Sequence, residues 1–217
     1  MITCIIPHYN HNDLIERAIR SAIGEVDEII VVDDGSDIPI DATVAKFPGV
    51  KLIKHDKNYG LGATRNTGIF AARGEWIIPL DADDELCTGS AQTMLQNAKD
   101  SDIVFGNIIY HGEKMYPNRE TNYDALLTSN RLNATSLFKK SIWEYVGGYC
   151  EERPFYEDWD FWGRCAKAGA IMRYVDVDVY KYHGGRMCKE IEPIAERITR
   201  KVIQHIKDYV PPKVPLH

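Results

Sequence analysis

Short aliphatic runs alternate with helical patterns through the first third of the sequence, and this alternation restricts the fold more than any other feature. The apolar runs and helical patterns follow one another at 3–6, 12–23, 28–32, 50–54, 61–72 and 76–80. Strands that alternate with helices typically form βαβ units with a parallel sheet. The sequence therefore predicts an α/β protein with a mostly parallel central sheet flanked by helices.

The remaining elements are less regular. Asp13 and Glu16 suggest a capping box for the first helix, and Thr88 is a candidate N-cap for a helix with apolar positions at 91, 94, 95 and 98. The polar segment 111–122 is predicted to be an extended loop. The other expected elements are a strand at 102–107, helices at 140–146 and 157–168, a turn at Gly147-Gly148, a strand pair around 172–182 and a last helix with Pro193 near its first turn.

Charge and cysteine content narrow the class of protein. The sequence has 26 Lys and Arg against 32 Asp and Glu, a net charge of −6, so it lacks the basic excess of nucleic-acid-binding proteins. The five cysteines include no C-x-x-C pair, so neither a disulfide framework nor a zinc site is indicated. A reducing compartment fits this cysteine content best. The N-terminal apolar run has no basic region before it and stops at Pro7. We therefore expect a cytoplasmic protein without a nucleic-acid partner, at most peripheral to the inner face of a membrane.

Carboxylates follow two of the predicted strands, at the edge where an open α/β sheet binds its ligand. Asp34 follows the second strand, and Asp81, Asp83 and Asp84 follow the fourth. This much negative charge needs a compensating cation. Asp81 and Asp83 would point the same way in an extended segment, and carboxylates with phosphate oxygens suit Mg²⁺ or Mn²⁺. A solvated acidic turn is the alternative interpretation.

The segment Gly60-Leu61-Gly62 lies just before a predicted helix but completes neither G-x-G-x-x-G nor a P-loop. No classical dinucleotide or P-loop site is therefore predicted. Arg65 lies early in the same helix, where its guanidinium could bind a phosphate. An ordinary surface arginine is the alternative interpretation.

Acidic and aromatic residues interleave at 156–162, where another helix is predicted to begin. Glu157 and Asp158 would be stabilised there by the helix dipole, which is the simpler interpretation. The functional interpretation is a general base beside an aromatic platform that includes Trp159. Such a pair can orient a sugar-like ring and remove a proton from one of its hydroxyls.

Taken in order, these motifs resemble the family 2 glycosyltransferases of the GT-A fold, over residues 2–183. The segments that carry the resemblance are 5–10, 32–36, 58–60, 63–68, 80–84, 147–149 and 157–160. Each segment alone is weak evidence, but their order and spacing together are specific. The resemblance implies an inverting transfer of one sugar from a nucleoside-diphosphate sugar, UDP-linked by preference. The acceptor would be a hydroxyl of a glycan, a lipid-linked glycan or a protein, and Mn²⁺ or Mg²⁺ would assist.

The resemblance also implies a role for particular residues in substrate binding. Pro7 and Tyr9 would line the nucleobase pocket, Asp34 would hydrogen-bond the base, and Arg65 would lie near the diphosphate. The full set of substrate-binding residues implied is Pro7, Tyr9, Asp34, Asn58, Arg65, Asp81, Glu157 and Trp159.

The same resemblance implies the residues of the catalytic centre. Asp158 would be the catalytic base, Asp83 would ligate the metal, and Asp81 would face the ribose or a metal-bound water. Asp84 is a further candidate ligand. His183 stands where some relatives place a histidine near the metal or the pyrophosphate, which makes it a candidate metal ligand. A histidine satisfied by backbone groups at a strand end is the alternative.

We expect a single domain spanning 1–217. The resemblance divides it into a nucleotide-sugar-binding half at 1–107, an acceptor and catalytic-base half at 108–185, and a C-terminal helix and tail at 186–217. The Q-x-x-R-W helix of processive synthases is missing, as are the long C-terminal modules of many relatives. The expected activity is therefore single-sugar transfer rather than polymer extrusion.

Three alternatives stay open at this point. The domain could bind a nucleotide-sugar or glycan without turning it over. It could instead be a phosphatase with Asp81 as nucleophile, although Glu85 replaces the Thr or Val of that motif. A nucleotidyltransferase fits less well, because its Gly-rich loop is absent after the first strand.

The basic residues of the last helix leave a weak membrane contact as an alternative to a solvated helix face.

Overall fold

The computed structural model describes residues 1–115, 121–184, 194–213 and 216. The strands are β1 (Ile2–His8), β2 (Glu28–Asp33), β3 (Lys51–Lys54), β4 (Trp76–Pro79), β5 (Glu85–Leu86), β6 (Ile103–Tyr110), β7 (Glu113–Met115), β8 (Leu137–Lys139) and β9 (Met172–Tyr182). The helices are α1 (Ile15–Ala22), α2 (Asp41–Val44), α3 (Leu61–Ala71), α4 (Ser90–Gln96), α5 (Tyr123–Leu126), α6 (Lys140–Val146), α7 (Glu157–Lys167) and α8 (Ala195–Asp208).

Within the described residues, nine strands form one sheet. Eight of them lie in the order β3-β2-β1-β4-β8-β6-β9-β5, and β7 pairs with β6 outside this path. The strands β3, β2, β1 and β4 are parallel, as the alternating pattern predicts. Beyond β4 the sheet is mixed, because β8 is antiparallel to both β4 and β6 whereas β9 is parallel to β6. The α/β fold class is confirmed, and the parallel arrangement holds only for the first four strands.

Strand β1 lies at the centre of the parallel region and is buried along its whole length. Its side chains alternate between the two faces of the sheet. Cys4 and Ile6 belong to a core with α1 and α4, whereas Ile5 belongs to a second core that includes Trp162 of α7 and Val202 of α8. Burial on both faces explains why the first strands are continuous apolar runs rather than alternating ones.

Four local predictions are wrong. The residue before α1 is Leu14, with no side-chain cap, so Asp13 and Glu16 form no capping box. Gly89 in the left-handed conformation precedes α4, and Thr88 does not cap it. The predicted strand pair is the single strand β9, whose register against β6 shifts at Asn107.

The fourth wrong prediction concerns only the start of the predicted loop at 111–122, since residues 116–120 lie outside the described residues. That start pairs with β6 as the short strand β7.

The helix α8 agrees with the prediction of a final helix, while Pro193 lies outside the described residues. Among the helices in the described parts of the chain, none combines the length and apolarity needed to cross a bilayer. The predicted halves share one continuous sheet, since β8 joins β4 to β6, and the domain boundaries stay a prediction.

Candidate active site

The carboxyl ends of β2, β1 and β4 lie side by side because these strands are parallel neighbours. A cleft of about 380 Å³ opens at this edge. It is lined by Pro7, His8, Tyr9, His11, Asp34, Asn58, Gly60, Leu61, Thr64, Asp81, Ala82, Asp83 and Arg153. Five of the residues expected to bind a nucleotide-sugar, together with the expected metal ligand Asp83, are therefore brought to one cavity.

Asp34 holds the chain segment that forms one wall of this cleft. Its carboxylate is buried and accepts hydrogen bonds from the backbone N–H groups of Tyr59 and Gly60, at 2.9 and 2.7 Å. The Nδ1 atom of His55 lies 2.7 Å from the Oδ1 atom of Asp34. Sequence reasoning expected Asp34 to bind the base. That role stays a prediction, and the structure shows that this carboxylate shapes the cleft by fixing the loop around residue 59.

The glycines at 60 and 62 admit a second chain segment to the same wall. Gly60 has a φ of 101°, and a Cβ atom there would meet the Arg153 side chain. A Cβ atom at Gly62 would meet the carbonyl oxygen of Cys150. These glycines therefore allow close backbone approach, one of the common uses of glycine. The segment that approaches is 150–153, so the Gly-x-Gly pattern joins two parts of the chain and forms no phosphate loop.

A second cavity, of about 710 Å³, adjoins the cleft and shares Leu61, Asp81 and Asp83 with it. Asp158 and Glu157 line this second cavity. Its other lining residues are Arg65, Asp84, Ile108, Tyr110, Met115, Asn130, Leu132, Asn133, Ala134, Phe155, Tyr156, Trp159, Tyr180, Tyr182 and Thr199. Asp34, Asp81 and Asp158, which are distant from one another in the sequence, thus converge on two connected cavities.

Arg65 lies between the two parts of the site and is only 1% exposed, which excludes the surface-arginine interpretation. Its Nη2 atom donates to the Oδ1 atom of Asp81 at 2.8 Å, and its Nη1 atom donates to Glu157. Burial disfavours the charged guanidinium, but attraction from Asp81 and Glu157 outweighs it and raises the pKa of Arg65. Arg65 therefore stays charged and ties the end of β4 to the start of α7.

Asp158 stands in the first turn of α7 and is half-buried. The Nδ2 atom of Asn130 donates to its Oδ2 atom at 2.9 Å. Burial raises the pKa of Asp158, while the charge of Arg65 and the hydrogen bond from Asn130 act in the opposite direction. A carboxylate with a raised pKa is a better proton acceptor, so this environment suits a general base.

Asp81 and Asp83 lie in a turn and not in the extended segment that was expected. The N–H of Asp84 donates to the carbonyl of Asp81 at 3.0 Å and closes this turn. Burial and the neighbouring charge of Asp81 raise the pKa of Asp83, and the same two causes raise that of Asp84 to about 8. The positive charge near Asp83 and Asp84 is thus too small to offset their burial and the repulsion from Asp81. Oxygen donors in an acidic cluster of this kind fit a hard divalent cation, with Asp81 and Asp83 facing both cavities.

His183 is placed at the end of β9, beside this turn. Its backbone N–H donates to the Oδ1 atom of the buried Asp84 at 3.0 Å, and its Nε2 atom lies 2.9 Å from the Oε1 atom of Glu85. The imidazole of His183 is therefore paired with the Glu85 carboxylate, and not with backbone groups as the alternative interpretation expected. Its role as a metal ligand stays a prediction.

In the described part of the chain, one group of side chains has its possible metal-ligating atoms within 4.8 Å of one another. It consists of Cys150, Asp160 and His205 and lies away from the acidic turn. Asp160 is fully buried, and its oxygens already bond to Arg164 and His205. This group joins α7 to α8 and does not belong to the cleft.

Two residues of the site escaped the sequence analysis. Asn130 and Arg153 lie outside helices and strands, in segments with no periodic pattern. The Asn130 side chain positions Asp158, and Arg153 reaches the Asn58 side of the cleft. Neither residue belongs to a motif, so no signal in the sequence pointed to it. The aromatic pair of Tyr110 and Tyr182, whose rings lie 5.5 Å apart, was also missed, because the two residues meet only through the pairing of β6 with β9.

The fold and the site together define a glycosyltransferase of the GT-A type, and comparison with known families agrees. The family model described as glycosyl transferase family 2 matches residues 3–178. The chain therefore belongs to glycosyl transferase family 2. This membership argues against the phosphatase and nucleotidyltransferase alternatives.

Individual relatives are similar over different parts of the chain. The succinoglycan biosynthesis protein ExoO of Rhizobium meliloti (strain 1021) is 43% identical over 102 residues, which are 45% of this chain and 29% of that protein. A PGL/p-HBAD biosynthesis glycosyltransferase of Mycobacterium bovis (strain BCG / Pasteur 1173P2) is 29% identical over 199 residues, 84% of this chain and 77% of that protein. The chain thus spans less than a third of the length of ExoO.

Among solved structures, S. aureus TarS 1-349 in complex with UDP-GlcNAc superposes with a TM-score of 0.77 and 19% sequence identity. The match covers 98% of this chain and 68% of that one. At this identity the likeness establishes the fold, which is that of the GT-A glycosyltransferases.

Proposed function

We propose that this protein transfers a single sugar from a UDP-sugar to an acceptor hydroxyl with inversion of configuration, and that Asp158 is the catalytic base. One observation carries the proposal: the cleft that holds Asp34 and the cavity that holds Asp158 meet at Asp81 and Asp83. A donor in the first cavity would therefore present its sugar to an acceptor in the second.

The donor would bind in the cleft with its base against Pro7 and the exposed ring of Tyr9, beside the loop that Asp34 fixes. The preference for UDP is supported by the fold's likeness to TarS, whose structure was solved with UDP-GlcNAc. The identity of the sugar depends on the shape of the pocket around it, so a donor screen must supply it.

Asp83 and Asp81 would hold Mg²⁺ or Mn²⁺, with His183 as a further candidate ligand. When bound, such an ion stabilises the negative charge that develops on the departing diphosphate. The half-buried carboxylates fit this role, since their mutual repulsion calls for a cation. Arg65 would act by keeping Asp81 and Glu157 in position, because its guanidinium is already ion-paired with both.

The proton chemistry would fall to Asp158. Its carboxylate would take the proton of the acceptor hydroxyl as that oxygen attacks the anomeric carbon from the face opposite the diphosphate. Asn130 would orient the carboxylate through its hydrogen bond. Direct displacement of this kind inverts the anomeric configuration.

The acceptor would occupy the second cavity, whose aromatic side chains suit a sugar ring. A glycan acceptor agrees with the biosynthetic glycosyltransferases among the relatives, and a lipid-linked glycan or a protein hydroxyl are narrower forms of the same proposal. We propose a cytoplasmic location, with at most a weak peripheral membrane contact.

Measurement of UDP release from a panel of UDP-sugars with Mn²⁺ and acceptor glycans tests the proposal. Asp158→Asn removes the base but keeps its shape, so we expect turnover to fall about 10²- to 10⁴-fold while UDP affinity is maintained. Asp100→Asn changes an exposed acid of a distant turn and serves as the matched control.

Full turnover in Asp158→Asn would remove Asp158 from the role of base. A wild-type protein that binds UDP but never releases it from any donor would favour the non-catalytic binding domain. If it neither turned over a donor nor bound UDP, the proposed function would be wrong.

A further inference from the structure

The cleft proposed for the nucleotide is acidic and contains little positive charge. Three of its lining residues are the carboxylates Asp34, Asp81 and Asp83. Among the lining residues in the described chain, Arg153 is the one arginine or lysine. A nucleoside diphosphate is itself an anion, so it needs a cation in this cleft besides any metal ion.

Arg65 does not meet this need. It lines the adjoining cavity, and Asp81 and Glu157 bond to its guanidinium. Those two carboxylates cancel its charge locally. The arginine that the sequence analysis expected near the diphosphate is therefore a buried connector, and the cationic role is left to another residue.

Arg153 is held at the mouth of the cleft. Its Nη2 atom donates to the carbonyl oxygen of Asn58 at 2.8 Å, and its Nη1 atom donates to the Asn58 side chain. A guanidinium has five N–H donors, and Asn58 takes two of them. The side chain crosses Gly60, where a Cβ atom would collide with it. The guanidinium is therefore positioned in advance while Arg153 remains exposed to an incoming ligand.

We propose that Arg153 binds the diphosphate of the donor through charge-assisted hydrogen bonds. This inference rests on the proposed function and adds a residue to its donor site. Guanidinium groups match phosphate oxygens in geometry as well as charge, and hydrogen bonds between charged groups are stronger than neutral ones. Arg153 lies five residues before Asp158, so the bound diphosphate would contact the segment that leads into α7.

Calorimetric titration with UDP and with uridine, both in the presence of Mn²⁺, tests the proposal. Arg153→Ala should weaken UDP binding about 10- to 100-fold, because a charge-assisted contact is lost. Uridine binding should stay within about twofold of wild type, since uridine has no phosphate. Arg153→Lys keeps the charge and should recover part of the UDP affinity. Arg20→Ala removes an exposed arginine on α1 and is the matched control, with wild-type binding expected.

Unchanged UDP affinity in Arg153→Ala would overturn the proposal. Equal weakening of UDP and uridine would also overturn it, since Arg153 would then act only by holding the Asn58 segment. Thermal melts of each variant check that the protein is folded. If wild-type protein releases UDP from a donor and Asp158→Asn does not, while Arg153→Ala binds UDP normally, the Arg153 proposal fails and the proposed function stands. If wild-type protein binds no UDP, both fail.

Discussion

The two cavities of the site are built in different ways. The cleft that we propose for the nucleotide, called the nucleotide cleft below, is formed at the ends of three neighbouring parallel strands, and Asp34 fixes its wall through backbone N–H groups. The second cavity, which we propose for the acceptor and call the acceptor cavity, is lined mainly by side chains from a mixed region of the sheet and from loops, among them Tyr110, Tyr182 and Asn130. The difference indicates that the nucleotide cleft is constrained by the backbone, whereas the acceptor cavity can vary by substitution of side chains.

The largest expected effect comes from Arg65, which joins the two regions. Arg65→Met leaves Asp81 and the buried Glu157 without their partner, and breaking a buried ion pair in this way typically costs about 3–5 kcal/mol. We expect a fall of that size in the free energy of unfolding, measured by urea denaturation. The double variant Arg65→Met with Glu157→Gln removes one orphaned charge and should recover part of the loss. A change below about 1 kcal/mol would mean that the two regions do not depend on this link.

A smaller effect, confined to the nucleotide cleft, is expected from Asp34→Asn. An Asn side chain has one acceptor oxygen where Asp34 has two, so the N–H of Tyr59 or the buried N–H of Gly60 loses its acceptor. The cost should be about 1–3 kcal/mol in unfolding free energy, with UDP affinity reduced and the acceptor KM little changed. Denaturation, calorimetry and steady-state kinetics measure the three quantities, with Asp100→Asn as control. An acceptor KM that rises as much as the UDP Kd would argue against separate construction of the two cavities.

The smallest effect is expected outside both cavities, where α8 packs against α7. The hydrogen bond to Asp160 raises the pKa of His205, although burial opposes it. The folded protein therefore favours the protonated imidazole. This stabilisation is complete below the ordinary histidine pKa of about 6.5 and is lost as the pH rises through the higher folded-state value.

His205→Gln should accordingly destabilise the protein most at low pH, and the difference from wild type should shrink as the pH rises. His205 is half exposed, so the difference should not exceed about 1 kcal/mol. Urea denaturation across the pH range measures it. A difference that grows with pH would contradict the assignment, and an altered UDP affinity would show that this contact reaches the nucleotide cleft.

The residues predicted from the sequence make up a larger share of the lining of the nucleotide cleft than of the acceptor cavity, for a physical reason. Asp34 and Asp83 follow buried strands whose apolar runs are evident in the sequence, and parallel neighbours bring such positions to one edge. Asp158 was predicted as a candidate base because it lies in the first turn of a helix, where acidic and aromatic residues interleave. Asn130 and Arg153 contribute through long-range contacts from irregular segments, which no local pattern encodes. The environment of Arg65 was missed for the same reason, since Glu157 is distant along the chain.

The ion pair between Arg65 and Glu157 has a consequence for the synthesis of the protein. The two residues are 92 positions apart, so the guanidinium emerges from the ribosome long before its second carboxylate. Domains form during translation from the N-terminus onward, and an unpaired charge is costly to bury. Asp81 can pair with Arg65 early, whereas the arrangement in which both carboxylates bind the buried guanidinium requires α7. The link between the two proposed cavities is therefore completed only late in synthesis.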